Sequence, residues 1–450
     1  MRDRPSATGT ALGLRLSRRA LLGRAAVLAG AGLAGGACSY VGPGFSGPTR
    51  TSRTLTYWNL LGGGDGVRMQ TMQAVYQKAN PDVDLRPTTL TWGDPYYTKL
   101  SMATIGGQPP DVAIAHLTRL QALVPGGLLQ TLEEADLARH GMHADDFVGT
   151  AWRQAHFEGK LYAVPLDTHP FVLYYNTDVA KKAGLLDGDG KLTPIGDPDA
   201  LVAALEKAKR ATGGLGVALS STDDYATVWR LFYTLYSQLG GKVLDGGRVV
   251  LDDAKAEQAA ALMRRLTVET QVAPAALDYG GAVAQFASAK AGFYFEGDWE
   301  LPTFQTAKLK FDMQPFPTIF GQEATQADSH ALVLPRLKHP DPARTDLALG
   351  FAKSLLDQSI TWAEGGHIPA WLPVQRSEKY RKLQPQSNYA GVAEHVVYDP
   401  PAWFSGSGSS LEVEAGSAFG SVLGGRSSPA QGVTQFRKAL DRLTAAPSPV

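Results

Sequence analysis

The chain reads as an α/β protein, from three observations. Short apolar runs alternate with segments of helical period, 450 residues allow several domains, and the composition is that of a soluble globular chain. Thr54-Leu55-Thr56-Tyr57-Trp58 is a strand that runs into Gly62-Gly63-Gly64, read as a flexible loop where backbone amides face a ligand. A helix follows, with Met69, Met72, Val75, Tyr76 and Ala79 on one face, and Asn80-Pro81 stops it. Val83-Asp84-Leu85 opens a second strand, Tyr96 to Ile105 a second helix, and Asp111 to Ala115 a buried strand. That spacing predicts an α/β unit with a mainly parallel sheet. The C-terminal half is more helical, with helical period over Asp253 to Thr270, Ala343 to Leu356 and Val433 to Leu443. Asp187 to Asp199 and Phe404 to Ser410 read as loops. The acidic Asp187-Gly188-Asp189-Gly190 lacks the ligand positions of an EF-hand and reads as a solvated turn.

Ahead of this body lies a leader. Residues 1–37 hold six arginines and one acid, followed by an Ala/Gly/Leu/Val run too short to span a bilayer comfortably. Without them the chain keeps 37 basic and 42 acidic side chains, net −5, which argues against nucleic acid as the partner. Ser17-Arg18-Arg19-Ala20-Leu21-Leu22 resembles a twin-arginine export signal. The single cysteine, Cys38, excludes an internal disulfide and Cys-based zinc sites. It follows Leu33-Ala34-Gly35-Gly36-Ala37, which resembles a bacterial lipobox with Gly35 where the usual pattern has Leu. Lipidation at Cys38 would hold the exported protein at the outer face of the cytoplasmic membrane; the alternative is cleavage after Ala37 with Cys38 a bystander. Residues 39–52 read as a flexible spacer.

The common catalytic signatures GxSxG, HExxH and GxxxxGK[ST] do not occur, and no cofactor or metal is predicted. Nine histidines are scattered without an i, i+4 pair; His116, His169, His330 and His367 fall on candidate loops, where a folded zinc site is the alternative to the reading adopted, surface or hydrogen-bonded histidines. Aromatic residues beside carboxylates and glycines recur at strand ends: Trp58 before Asp65, Trp92-Gly93-Asp94, and Phe293 to Trp299 with Glu296 and Asp298. Trp362, Trp371 and Trp403 lie in Gly/Pro-rich surroundings. An indole stacks on the apolar face of a sugar while carboxylates, imidazoles and guanidinium groups take its hydroxyls, so a carbohydrate pocket mixes both types.

Taken in order, these landmarks resemble the extracellular solute-binding proteins of carbohydrate ABC importers, the group of maltose-binding protein. The resemblance runs from Leu55-Thr56-Tyr57-Trp58 with Asp65, through Pro110-Asp111-Val112-Ala113 and Gly127-Leu128-Leu129, to Gly159-Lys160-Leu161-Tyr162-Ala163-Val164-Pro165 and Leu173-Tyr174-Tyr175-Asn176. It continues in Ala291 to Trp299, Ser329 to Pro335 and Gly365 to Ala370. The resemblance implies a two-lobed periplasmic-binding-protein-like fold of type II, with a hinge of several crossing strands and the ligand cleft between the lobes. Lobe one would take 53–168 plus 330–372, and lobe two 169–329 plus 373–450. It implies Trp299 as stacking platform with Trp58, Trp371 and Trp403 behind it, Asp65, Asp167 and Asp298 as hydroxyl acceptors, and Arg119 and His116 as donors. His169, His330 and His367 depart from the family's usual residues, which leaves open a less usual sugar or a phosphorylated ligand at Gly62 to Gly66. The implied protein is a monomer that captures a carbohydrate by hinge closure, delivers it to ABC permease subunits and breaks no bond. A lipoprotein glycosidase and a sugar-sensing protein without a transporter are the rival readings.

Overall fold

A computed structural model describes residues 53–448; the leader, Cys38 and the spacer lie outside the described residues. Strand β1 (Thr54–Asn59) leads into α1 (Gly63–Ala79), β2 (Asp84–Thr89), α2 (Asp94–Ile105) and β3 (Val112–His116). Next come β4 (Ala163–Pro165), β5 (Asp167–Asn176), α3 (Pro198–Thr212), β6 (Leu215–Ala218), α4 (Tyr225–Gln238), α5 (Asp253–Arg264) and α6 (Tyr279–Ala287). The chain continues through β7 (Ala291–Gly297), β8 (Phe311–Pro315), β9 (Thr325–Asp328), β10 (His330–Val333) and α7 (Pro342–Asp357). It ends with β11 (Ile368–Pro369), β12 (Val396–Val397), α8 (Ser410–Leu423) and α9 (Pro429–Ala445). Among the described residues no helix is long and apolar enough to cross a membrane.

Two large sheets organise these elements. One has the order β2-β1-β3-β10-β4; the other has β12-β9-β5-β7-β6, with β8 and β11 also paired to β5. The pairs β1–β2 and β1–β3 are parallel, as the strand–helix alternation predicts. Beyond them the sheets are mixed rather than mainly parallel: β6–β7 and β9–β12 are parallel, but β10 runs antiparallel to β3 and β4, and β5 is antiparallel to β7, β8, β9 and β11. The reason is that β4, β5, β9 and β10 are joined without crossover helices, so the chain passes from one sheet to the other at Leu166 and again at Ser329.

Helix α1 corrects two local expectations. The glycine run is not a loop: Gly62 is the N-cap and Gly63 and Gly64 already belong to the first turn. Val75 and Ala79 face solvent, because Met69, Met72, Gln73 and Tyr76 form the buried stripe. In β5 all ten residues are buried and period-two alternation divides them. Val172 and Tyr174 join the apolar cluster of β1, β3 and α7, whereas Phe171, Leu173 and Tyr175 join the cluster of α4, α8 and α9. One strand thereby belongs to both cores.

Candidate functional site

The two switch points define the site. Asp167 opens β5 one residue after the chain leaves the first sheet, and His330 opens β10 one residue after it returns. Sheet register sets His330 opposite His116, His169 opposite Asp328, and Pro369 opposite Asp167. Histidines far apart in sequence therefore meet: ring centroids are 4.4 Å apart for His169 and His330, 4.9 Å for His116 and His330, and 5.5 Å for His330 and His367. Gly366, at φ +118°, brings His367 in; a Cβ there would stand 1.9 Å from the carbonyl oxygen of Asp298.

Asp167 is the buried anchor of this group. Its Oδ1 accepts the backbone N–H of His330 at 2.8 Å and faces His169 Nδ1 at 3.0 Å. Its Oδ2 accepts Trp362 Nε1–H at 2.6 Å and faces His330 Nδ1 at 2.8 Å. Burial favours the neutral acid, but His330 and His169 outweigh it and hold the carboxyl well below its ordinary range. With Asp167 ionised, both imidazoles carry the proton on Nδ1. Burial, followed by the neighbouring His330, lowers His169 to about 3, and burial lowers His116 well below the usual range, so both are neutral. His116 Nδ1 lies 2.7 Å from the Tyr97 hydroxyl, which also accepts the His116 backbone N–H.

His367 behaves oppositely. It is fully buried and stacked on Trp362 at 4.5 Å, with Nε2 3.1 Å from Asp65 and Nδ1 3.4 Å from Asp298. Burial disfavours its charge, yet Asp65 and Asp298 overcome that and raise it to about 9. Burial, only partly offset by His367, pushes Asp298 well above the ordinary carboxyl range.

In front of this layer lies a cavity of about 570 Å³ lined from both sheets. The side of the first sheet contributes His116 and His330 from its strands, with Leu60, Leu61, Gly62 to Gly64, Asp65 and Trp92 from the loops and helix start beside it; the other side contributes His169, Asp223, Asp224, Arg230, Tyr279, Trp299, Glu300 and Ser407. Trp299 donates Nε1–H to the Tyr279 hydroxyl at 2.9 Å, and that hydroxyl donates to Glu300 at 2.5 Å. Arg230 lies 4.8 Å over the Trp299 ring and 3.2 Å from buried Glu296. Burial raises Glu296 to about 7 despite Arg230. Trp92 is the cavity's exposed aromatic, 44% accessible. The lining thus offers aromatic faces, carboxylate acceptors and neutral imidazoles to one solute, which suits a polyhydroxylated molecule.

Of the residues singled out in the sequence, Asp65, His116, His169, Trp299 and His330 line the cavity. Asp167, Asp298 and His367 stand in the buried layer linked to it. Four are directed elsewhere. Arg119 covers the Tyr97 ring at 4.4 Å, and Trp58 lies under Lys99 at 5.8 Å. Trp371 packs on Phe147 in the first core, and Trp403 packs on Phe404 beside the second. The sequence reading missed Arg230, Asp223, Asp224, Tyr279, Glu300 and Ser407. A lone arginine in the apolar run Val228 to Gln238, directly after the capping Asp224, was the available signal.

The profile of the bacterial extracellular solute-binding protein family matches residues 63–354. The chain is 26% identical over 225 residues to a maltodextrin-binding protein of Bacillus subtilis, covering 47% of this chain and about half (49%) of that protein. It is 25% identical over 354 residues to an arabinooligosaccharide-binding protein of the same organism, covering 74% of this chain and 77% of that one. Its fold matches the GacH receptor of Streptomyces glaucescens, solved unliganded and with acarbose, at a TM-score of 0.74 and 20% identity, covering 87% of this chain and 98% of that one. The fold is the two-lobed one of periplasmic binding proteins, as expected.

Proposed function

We propose that this chain, which belongs to the bacterial extracellular solute-binding protein family, captures an oligosaccharide or related polyol outside the membrane for an ABC importer. The observation that carries the reading is the cavity itself: aromatic Trp92, Trp299 and Tyr279 stand with Asp65, Asp224 and Glu300 on loops and helix starts that flank the two sheets. The names of the two Bacillus relatives, one binding maltodextrin and one arabinooligosaccharide, support a carbohydrate as solute. A solute touching both walls stabilises the closed arrangement more than the open one, so binding shifts that equilibrium and the closed form docks on the permease. The solute leaves chemically unchanged. Lobe one comprises 53–168 plus 330–372, lobe two 169–329 plus 373–450, and the strand crossings at Leu166 and Ser329 support that division.

The same reading gives the N-terminal segment its purpose. The arginine pair Arg18-Arg19 directs export, a lipid on Cys38 tethers the mature monomer to the outer face of the cytoplasmic membrane, and the Gly/Pro/Ser spacer lets it reach a permease. A thermal-shift panel of oligosaccharides, monosaccharides and polyols, with the solute recovered and weighed by mass spectrometry, tests the function. A concentration-dependent rise in Tm with intact solute is expected. Cleavage of a glycoside, or no shift across the panel, would overturn it.

A further inference from the structure

Four of the nine histidines meet at the cavity and in the buried layer behind it, and one of them, His367, does not touch the solute space. The ligating atoms of Asp167, His169, His330 and His367 lie within 4.8 Å of one another, and all four residues are buried. From Asp167 Oδ2, Nδ1 stands at 2.8 Å for His330 and 3.7 Å for His367, and from Oδ1 at 3.0 Å for His169. Ligand bonds of about 2.0–2.1 Å in a tetrahedron require edges of about 3.4 Å. Those three separations bracket that length.

The surroundings are rich in acids. Three carboxyl groups, those of Asp65, Asp298 and Asp167, lie within 3.7 Å of the buried ring of His367. Neither nitrogen of that ring makes a well-aligned hydrogen bond, although Asp65 stands 3.1 Å from Nε2, and neither oxygen of Asp298 makes one. Buried polar atoms without partners are rare and ask for a missing occupant. The outer layer is also the one a metal site uses. Trp362 and the His330 backbone fix the carboxylate of Asp167, and Asp65 faces Nε2 of His367, leaving Nδ1 toward the other ligands.

We propose that Asp167, His169, His330 and His367 bind a late first-row divalent cation of the zinc type. Three imidazoles and one carboxylate select such an ion over calcium or magnesium, which take oxygen ligands. On binding, the Nδ1 protons of His169 and His330 move to Nε2, and His367 releases its Nδ1 proton to solvent through the cavity. The ion enters from the cavity, which His169 and His330 line. It ties β5, β10 and the residue ahead of β11, the segments that meet where the chain passes between the sheets. The site stands whether or not the solute is a sugar, because the ion is titrated without solute.

The test is a titration of the chelator-treated mature chain with zinc chloride by calorimetry, beside magnesium and calcium chloride. Saturation at one zinc per chain is expected, with no heat from the other two. His330→Gln and His367→Gln, checked for fold by circular dichroism, should each weaken zinc at least tenfold, while the surface variant His140→Gln leaves it unchanged. Asp65→Asn should weaken it about 10–100-fold through His367. Cobalt(II) on the unaltered chain needs no variant: the intense visible bands of a four-coordinate ion are expected. Absence of saturable zinc binding, a six-coordinate cobalt spectrum, or zinc affinity undiminished in folded His330→Gln and His367→Gln would overturn the site.

Discussion

Gly297→Ala is the sharpest single perturbation the site offers. Gly297 ends β7 with φ −69°, a value alanine adopts freely, so backbone strain contributes nothing. A Cβ there would stand 1.8 Å from Cζ3, 1.9 Å from Cη2 and 2.3 Å from Cε3 of Trp299. Carbon atoms in contact need about 3.5–4.0 Å, so the indole must swing by about 1.5–2 Å. That movement breaks the 2.9 Å bond to Tyr279, about 1 kcal/mol, and the Arg230 contact, about 0.5–2 kcal/mol. The expected cost is about 1.5–3 kcal/mol of stability and about 10–100-fold in solute affinity, from the same two losses. Urea unfolding and calorimetric titration measure the two. A double-mutant cycle isolates the cause: with Trp299→Ala already present, the added methyl meets no ring and should cost under about 0.5 kcal/mol. An alanine that costs as much without the indole, or that leaves stability and affinity at their native values, would refute the reasoning.

Other expectations follow from the same geometry. Trp92→Ala removes an exposed ring, so affinity should fall about 5–30-fold while stability moves by less than about 0.5 kcal/mol in paired titration and urea experiments. Arg230→Met leaves Glu296 buried without its cation; since burial raises that carboxyl to about 7, urea melts should show a loss of about 2–4 kcal/mol at pH 8 and a smaller one at pH 6. Burial, against the opposing charge of Arg230 and with that of Asp399, raises Glu412 to about 8 from an ordinary 4.5. Its folded-state value lies above its unfolded one, so the stability it contributes is full below about pH 4.5 and is lost as pH rises through 8. Glu412→Gln should therefore flatten the decline in Tm between pH 5 and 8, a slope worth on the order of 2–4 kcal/mol.

The elements were legible where local signals were strong. The N-terminal strand–helix alternation and the helices near residues 253, 343 and 433 stand where period and punctuation put them. Strand direction was not, because no local pattern records that β5 and β10 enter by a single-residue passage between sheets. The tryptophans show the same limit. Trp371 carries the same Gly/Pro flanks as a loop residue but is 3% exposed, whereas Trp92, noted for its turn, is the accessible one. The histidines show it most clearly. Their separation in the chain read as scatter, and only the register of β3, β5, β9 and β10 brings His116, His169 and His330 to one point.

The account rests on capture of an intact solute between two walls. Calorimetric titration with the oligosaccharide that gives the largest thermal shift, repeated on Trp92→Ala and Trp299→Ala, addresses both walls in one experiment. One solute per chain, recovered unaltered and bound at least about fivefold more weakly by each variant, is the predicted result. Native affinity in both variants, or a cleaved solute, would contradict it.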